Sequence, residues 1–111
     1  MFRLQSVRSS LFLACALVCS TGANAADLLG ADLAKARNCL ACHQIDTKRV
    51  GPAYQSVAQR YADQPDALAK LEQSIHRGSA NKWGKIPMPA QSQITPAEAK
   101  QLATWILSLK K

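Results

Sequence analysis

No segment of this 111-residue chain is apolar over the ~20 residues that a bilayer-spanning helix requires. The longest apolar run, residues 11–19 (LFLACALVC), is short, follows the basic Arg3 and Arg8, and precedes TGANA, where Ala23 and Ala25 stand in an A-x-A pattern. Positive, apolar and small-residue regions in that order make a secretory signal rather than an anchor. Neither Cys15 nor Cys19 is preceded by the small-residue box of a lipoprotein signal. The sequence therefore predicts cleavage after Ala25, one domain over residues 26–111, no stable membrane anchor and a periplasmic address.

Thiols are scarce too. Of four cysteines, Cys15 and Cys19 would leave with the signal, so Cys39 and Cys42 remain. A bridge across two intervening residues closes too small a loop to staple a domain, which excludes a disulfide scaffold. Yet a mature chain of 86 residues seldom stands on its hydrophobic core alone, so a metal or cofactor is expected. Aromatic residues make up 5% of the chain and are not interleaved with the basic ones, which are spread along the sequence rather than gathered into a stripe. The mature 12 basic and 7 acidic residues, net +5, thus do not describe a nucleic-acid surface. A positive rim that steers an acidic protein partner fits them better.

Strand alternation, internal repeats and low-complexity tracts are also missing, whereas four segments have helical period. The first, about 27–37, carries Leu28, Leu29, Leu33 and Ala36. The second follows Gly51-Pro52 and places Tyr54, Val57, Ala58 and Tyr61 on one face, with Pro52 suited to its first turn. The third starts near Pro65, repeats Leu68, Leu71 and Ile75, and stops near Gly78. The fourth opens on Thr95-Pro96-Ala97-Glu98, a capping box with proline at the first helical position, and presents Leu102, Trp105, Ile106 and Leu109. The expected fold class is all-α. Residues 79–94 have no helical period, and an irregular stretch of that length in a small domain is usually functional or mobile.

The remaining chemistry sits in NCLACHQ, residues 38–44. A structural zinc site needs four ligands, and His43 is awkwardly placed beside Cys42 to be one of them. A thiol-disulfide oxidoreductase wants its CxxC within a βαβ pattern, and no strands are expected. Haem attachment accounts for Cys39, Cys42 and His43 together: both thiols on one turn reach the vinyl groups, and the next residue offers its imidazole to the iron. Met88, the only mature methionine, lies between Pro87 and Pro89 outside any helical face and offers a soft thioether as second axial ligand. His76, the rival, lies off the apolar face of the third helix and is expected to be a solvated surface histidine.

These motifs, CLACHQIDTKRVGPAY, KWGKIPMPAQ and a Trp-bearing last helix, resemble the small bacterial class I c-type cytochromes of the c-551/c-552 group, also called cytochrome c8. The likeness runs from about Leu28 to Lys110. It implies one covalently bound haem c wrapped by about four helices, with Cys39 and Cys42 as thioethers, and His43 and Met88 on the iron. It further implies that Pro52 offers its carbonyl to the free ring nitrogen of His43, that Trp83 donates its indole N–H to a haem propionate, and that the Gln91 amide approaches the methionine sulfur. Three positions depart from the group's pattern: Asn38 stands where a small residue is common at the crossing of the terminal helices, the first helix has no aromatic so that Leu29, Leu33 and Trp105 must fill that contact, and Ser74 replaces a basic residue near a propionate. The implied function is that of a monomeric electron carrier rather than an enzyme, taking electrons from a membrane cytochrome complex and passing them to a nitrite reductase or terminal oxidase. Apolar residues near Met88, rimmed by Lys82, Lys85 and Lys48, would form the docking patch. A sensor or peroxidase-like haem protein with displaceable Met88 is the alternative.

Overall fold

The structure, a computed structural model, describes residues 30–111. The signal segment, its cleavage site, Leu28 and Leu29 lie outside the described residues. Four α-helices follow one another, α1 (Gly30–Ala36), α2 (Tyr54–Tyr61), α3 (Ala67–Arg77) and α4 (Pro96–Ser108), with a 3-10 turn at Cys39–Ala41. Among the described residues the only strand-like pairing is one antiparallel bridge, Ser79 to Met88. The fold is all-α, as expected.

α4 is the element on which α1, α2 and α3 all pack. Its start is fixed locally: the Glu98 amide donates to the Thr95 hydroxyl at 3.2 Å and the Thr95 amide donates to the Glu98 carboxylate at 3.1 Å. The buried stripe runs through Ala99, Leu102, Ala103 and Ile106. Trp105 and Leu109, expected on that stripe, are only half-buried. Alanines at the centre let neighbouring helices approach closely, and Trp105 is displaced to the seam with α1. There a Cβ on Gly30 would lie 2.1 Å from the Trp105 Cγ, so the terminal helices meet at a glycine.

That contact changes the meaning of Asn38. The close crossing belongs to Gly30, while Asn38 holds the left-handed conformation, φ 61° and ψ 21°, between α1 and the 3-10 turn. Asparagine is one of the few side chains that tolerates this region. Leu33 is buried beside α4 as anticipated, but Ala36 is exposed because α1 ends there.

Glu98 has a second task. The Arg37 guanidinium, just past α1, donates to its carboxylate, and this bond, seconded by the Thr95 amide, holds the carboxyl below its usual value. A carboxylate depressed on folding stabilises the native state above its unfolded value of ~4.3, and that contribution disappears as pH falls through the lower folded value. Wild type and Glu98→Gln are therefore expected to differ in urea midpoint at pH 7 and to converge in acid. A constant difference across that window would remove Glu98 from the acid response.

α2 starts at Tyr54, two residues later than Pro52. Its first amides are satisfied from outside: Tyr54 donates to the Gln44 carbonyl and Gln55 to the Ile45 carbonyl, both at 2.9 Å. The Pro52 carbonyl is thereby left out of the helix and available to a side chain. α3 buries Ala67, Leu71 and Ile75, with Leu68 at the margin, and ends at Gly78 with φ 74°.

Candidate functional site

The turn after Asn38 is tight. Cys42 and His43 both donate their amides to the Cys39 carbonyl, at 3.2 and 3.0 Å, which brings the two sulfurs and the imidazole to one side. All three line an apolar cleft of about 180 Å³ that opens between the 38–52 segment, α3 and the 79–94 loop. Cys39 is half-buried and Cys42 exposed, and burial pushes the Cys39 thiol up.

The His43 ring is held on every side. Its Nδ1 lies 2.8 Å from the Pro52 carbonyl; since a carbonyl can only accept, Nδ1 carries the proton and Nε2 keeps its lone pair. Tyr54 stacks on the ring at 4.9 Å and 15°, and Trp105 meets Tyr54 edge-on at 5.3 Å. Burial, with Cys39 alongside, pushes the Tyr54 hydroxyl above its usual range, so it stays protonated. Gly51 closes the other side: a Cβ there would stand 2.5 Å from the His43 Cε1. Its amide donates to the Cys42 carbonyl at 2.8 Å, tying the loop to the turn.

Met88 reaches the cleft from the irregular 79–94 loop. That loop is anchored by backbone rather than by helix: Ser79 and Met88 exchange bonds of 3.0 and 2.9 Å, and the Gln91 amide donates to the Ile75 carbonyl at 2.9 Å. Gly78 permits the bridge, because a Cβ there would fall 2.5 Å from the Met88 carbonyl oxygen. Ile94, 3% exposed, plugs the end of the loop into the core. Gln91 lines the cleft, its Nε2 donating to the Pro89 carbonyl at 3.0 Å and its Oε1 accepting from Gln93 at 2.9 Å. One of its two amide hydrogens remains for another acceptor.

Cys39, Cys42, His43, Pro52, Trp83, Met88 and Gln91, scattered across the sequence, thus line one cleft. His76 does not. It lies at the end of α3 beside Glu72, Gln73, Arg77 and Pro96, and its Nε2 is covered and without a hydrogen-bond partner, so it is half-buried rather than solvated. Two contributors escaped sequence reasoning. Gly51 read only as part of a helix-start signal, and Tyr54 only as helix core. Their position flanking Pro52 was the available sign, since whatever offers a carbonyl to the ring carries its neighbours against the ring faces.

The chemistry of the lining suits a haem. Its walls are apolar, its donors are a neutral imidazole and a thioether, two thiols stand at its mouth, and one wall is polar, through Ser74, Asn81, Lys82 and Trp83, as a macrocycle with carboxylates on one edge needs.

Comparison with known proteins agrees with that chemistry. The cytochrome c family profile matches residues 28–110. Cytochrome c-552 of Nitrosomonas europaea is 54% identical over 80 residues, 72% of this chain and 78% of that protein. Cytochrome c-551 of Pseudomonas aeruginosa is 51% identical over 78 residues, 70% of this chain and 74% of that protein. The crystal structure of wild-type Nitrosomonas europaea cytochrome c552 superposes with a TM-score of 0.71 over 72% of this chain and 99% of its own. The class 1 cytochrome MtoD from Sideroxydans lithotrophicus, 30% identical, gives 0.62 over 75% of this chain and 95% of its own. This chain belongs to the cytochrome c family, as a small class I c-type cytochrome that carries one covalently attached haem c and transfers electrons rather than catalysing a reaction.

Proposed function

We propose that Cys39 and Cys42 hold the haem as thioethers, that His43 Nε2 and the Met88 sulfur are its axial ligands, and that the domain, residues 26–111 after cleavage behind Ala25, shuttles electrons in the periplasm. Donor and acceptor on this reading are a membrane cytochrome complex and a nitrite reductase or terminal oxidase. The observation that carries the ligand assignment is the 2.8 Å bond from His43 Nδ1 to the Pro52 carbonyl, which frees Nε2 for a metal in the cleft that Met88 also lines.

The haem supplies a one-electron Fe(II)/Fe(III) couple. The residues around it do the rest. His43 is locked in orientation and made a stronger donor by its bond to Pro52. Met88, on a braced loop lining the cleft, would be the second protein ligand to the iron, leaving no place for a substrate, and its soft sulfur would favour the ferrous form. Trp83 offers an N–H to a propionate, and Gln91 offers its spare amide hydrogen to the sulfur. Val50 and Ile86, 49% and 66% exposed, border the cleft. With Lys48 and Lys85 exposed nearby, they form a small apolar patch with a positive rim, suited to a brief encounter with an acidic partner.

Absorption spectroscopy of the holoprotein tests the assignment. The expected ferric spectrum is six-coordinate and low-spin with a sulfur-to-iron charge-transfer band, carbon monoxide does not bind readily, and the haem stays attached after denaturation. A high-spin spectrum or ready carbon monoxide binding would replace this reading with a haem protein whose Met88 is displaceable.

A further inference from the structure

The polar wall of the cleft contains one formal charge. Among the described residues that line it, Lys82 is the only lysine, and there is no arginine, aspartate or glutamate. Its side chain is exposed along the cleft edge, and its ammonium reaches across the loop to donate to the Ser74 hydroxyl on α3 at 3.3 Å. Its main chain is held from α2, where Arg60 Nη1 donates to the Lys82 carbonyl at 2.5 Å. The same guanidinium lies 4.4 Å over the Trp83 ring, and Asn81, at φ 59°, sets the preceding turn. Three separate parts of the fold therefore steer this lysine.

No acidic side chain among the described residues pairs with Lys82. Among the described residues the ion pairs are Arg37 with Glu98 and Lys70 with Asp66. A hydroxyl is a weak partner for an ammonium and uses one of its three N–H donors, so two remain. Carboxylates brought into an apolar cleft need charged or strong neutral donors, because leaving an ionised group unpaired there is costly.

We propose that Lys82 is the counter-cation for a haem carboxylate, with Ser74 and Arg60 as its positioning residues, so that the charge missing from position 74 on α3 is supplied from the loop opposite. This rests on the reading that the cleft holds the haem. It also separates Lys82 from Lys48 and Lys85: all three are exposed, but only Lys82 lines the cleft and is tied to α3 through Ser74. A cation fixed there opposes the extra positive charge of ferric iron and favours the ferrous state.

The test is the midpoint potential of holoprotein variants at pH 7. Lys82→Gln is expected to shift the Fe(III)/Fe(II) equilibrium two- to fivefold toward ferric, a fall of roughly 20–40 mV at 59 mV per tenfold. The shift should persist at 1 M salt, where the screening length is only ~3 Å and distant surface charges are silenced. Lys85→Gln, which removes an exposed lysine outside the cleft lining, should lose any effect at that salt. Ser74→Lys in the Lys82→Gln background should restore the potential. A Lys82→Gln shift that vanishes in salt, or a double variant that restores nothing, overturns the proposal. Covalent haem and the sulfur-to-iron band are read in the same samples: their absence from the wild type would sink the haem-site reading itself, whereas their presence with an unmoved potential would sink the role of Lys82 alone.

Discussion

Met88→Ala is expected to abolish the sulfur-to-iron charge-transfer band, convert the ferric haem from low-spin to largely high-spin, and make the ferrous protein bind carbon monoxide. The 79–94 loop is held at Ser79, Ile75 and Ile94 through backbone and core contacts that do not involve the thioether, so truncation should open the axial position without unfolding the loop. Removing a ligand that prefers ferrous iron lowers the potential. Axial ligation as a whole spans ~0.8 V in haem proteins, and a fall on the order of 0.2 V is a fair share of that range. Haem should remain covalently bound through Cys39 and Cys42, as a denaturing gel stained for haem would show. Were the band and the potential to survive, Met88 would be only a packing residue and the second ligand would have to be sought elsewhere.

Gly30→Ala is expected to destabilise the holoprotein by about 2 kcal/mol, near the middle of the ~1–3 kcal/mol typical of overpacking. The sign is the informative part. By helix propensity alone the change should stabilise, since alanine is favoured over glycine by ~1 kcal/mol within a helix. Against that stands the seam with α4, where the new methyl would lie 2.1 to 2.7 Å from the Trp105 Cγ, Cβ and Cδ2. These are root atoms of the side chain, which cannot swing aside without moving Trp105 off Tyr54 and, through it, disturbing the stack on His43. A loss of that size in a domain of 60–100 residues lowers the melting temperature by roughly 8–16 °C. Trp105→Leu in the same chain should reduce the penalty, because the two residues touch and their effects will not add. A Gly30→Ala protein more stable than wild type would mean that the helices do not cross at Gly30.

The two changes act on opposite faces of one construction. Met88 is presented by a loop with no secondary structure of its own, while His43 is backed by Tyr54, Trp105 and the α1–α4 seam. On the proposed ligation, the methionine side is therefore expected to set the potential and the histidine side to carry the stability.

The candidate ligands and the helices were readable from the chain because each is written locally. The CxxCH spacing needs only one turn to bring two sulfurs and an imidazole together; the Thr95-Pro96-Ala97-Glu98 box satisfies its own amides; the prolines around Met88 mark a rigid loop without reference to anything distant. Helical period gave α2, α3 and α4 to within a few residues. α2 follows Gly51-Pro52 as expected, but Pro52 stands before the helix rather than in its first turn, since proline is equally suited to either place. The choice went to the place before the helix when His43 claimed its carbonyl.

What local pattern could not contain is which distant residues share a contact. Gly30 and Trp105 are separated by nearly the whole domain, and nothing in either neighbourhood announces that their helices cross within a bond's breadth of clashing. Asn38, odd as the residue before the first cysteine, became ordinary once its left-handed backbone was known and the close crossing proved to be at Gly30. Ser74 looked like a missing charge until α3 and the loop were brought together and Lys82 was found beside it. By itself the sequence determined the cofactor chemistry and the helical class and pointed to the candidate ligands, since each rests on residues within a turn or two of one another. Only the tertiary structure decided which glycine the helices cross on, what orients the histidine and where the cation stands, because each depends on side chains meeting across elements that the chain order keeps apart.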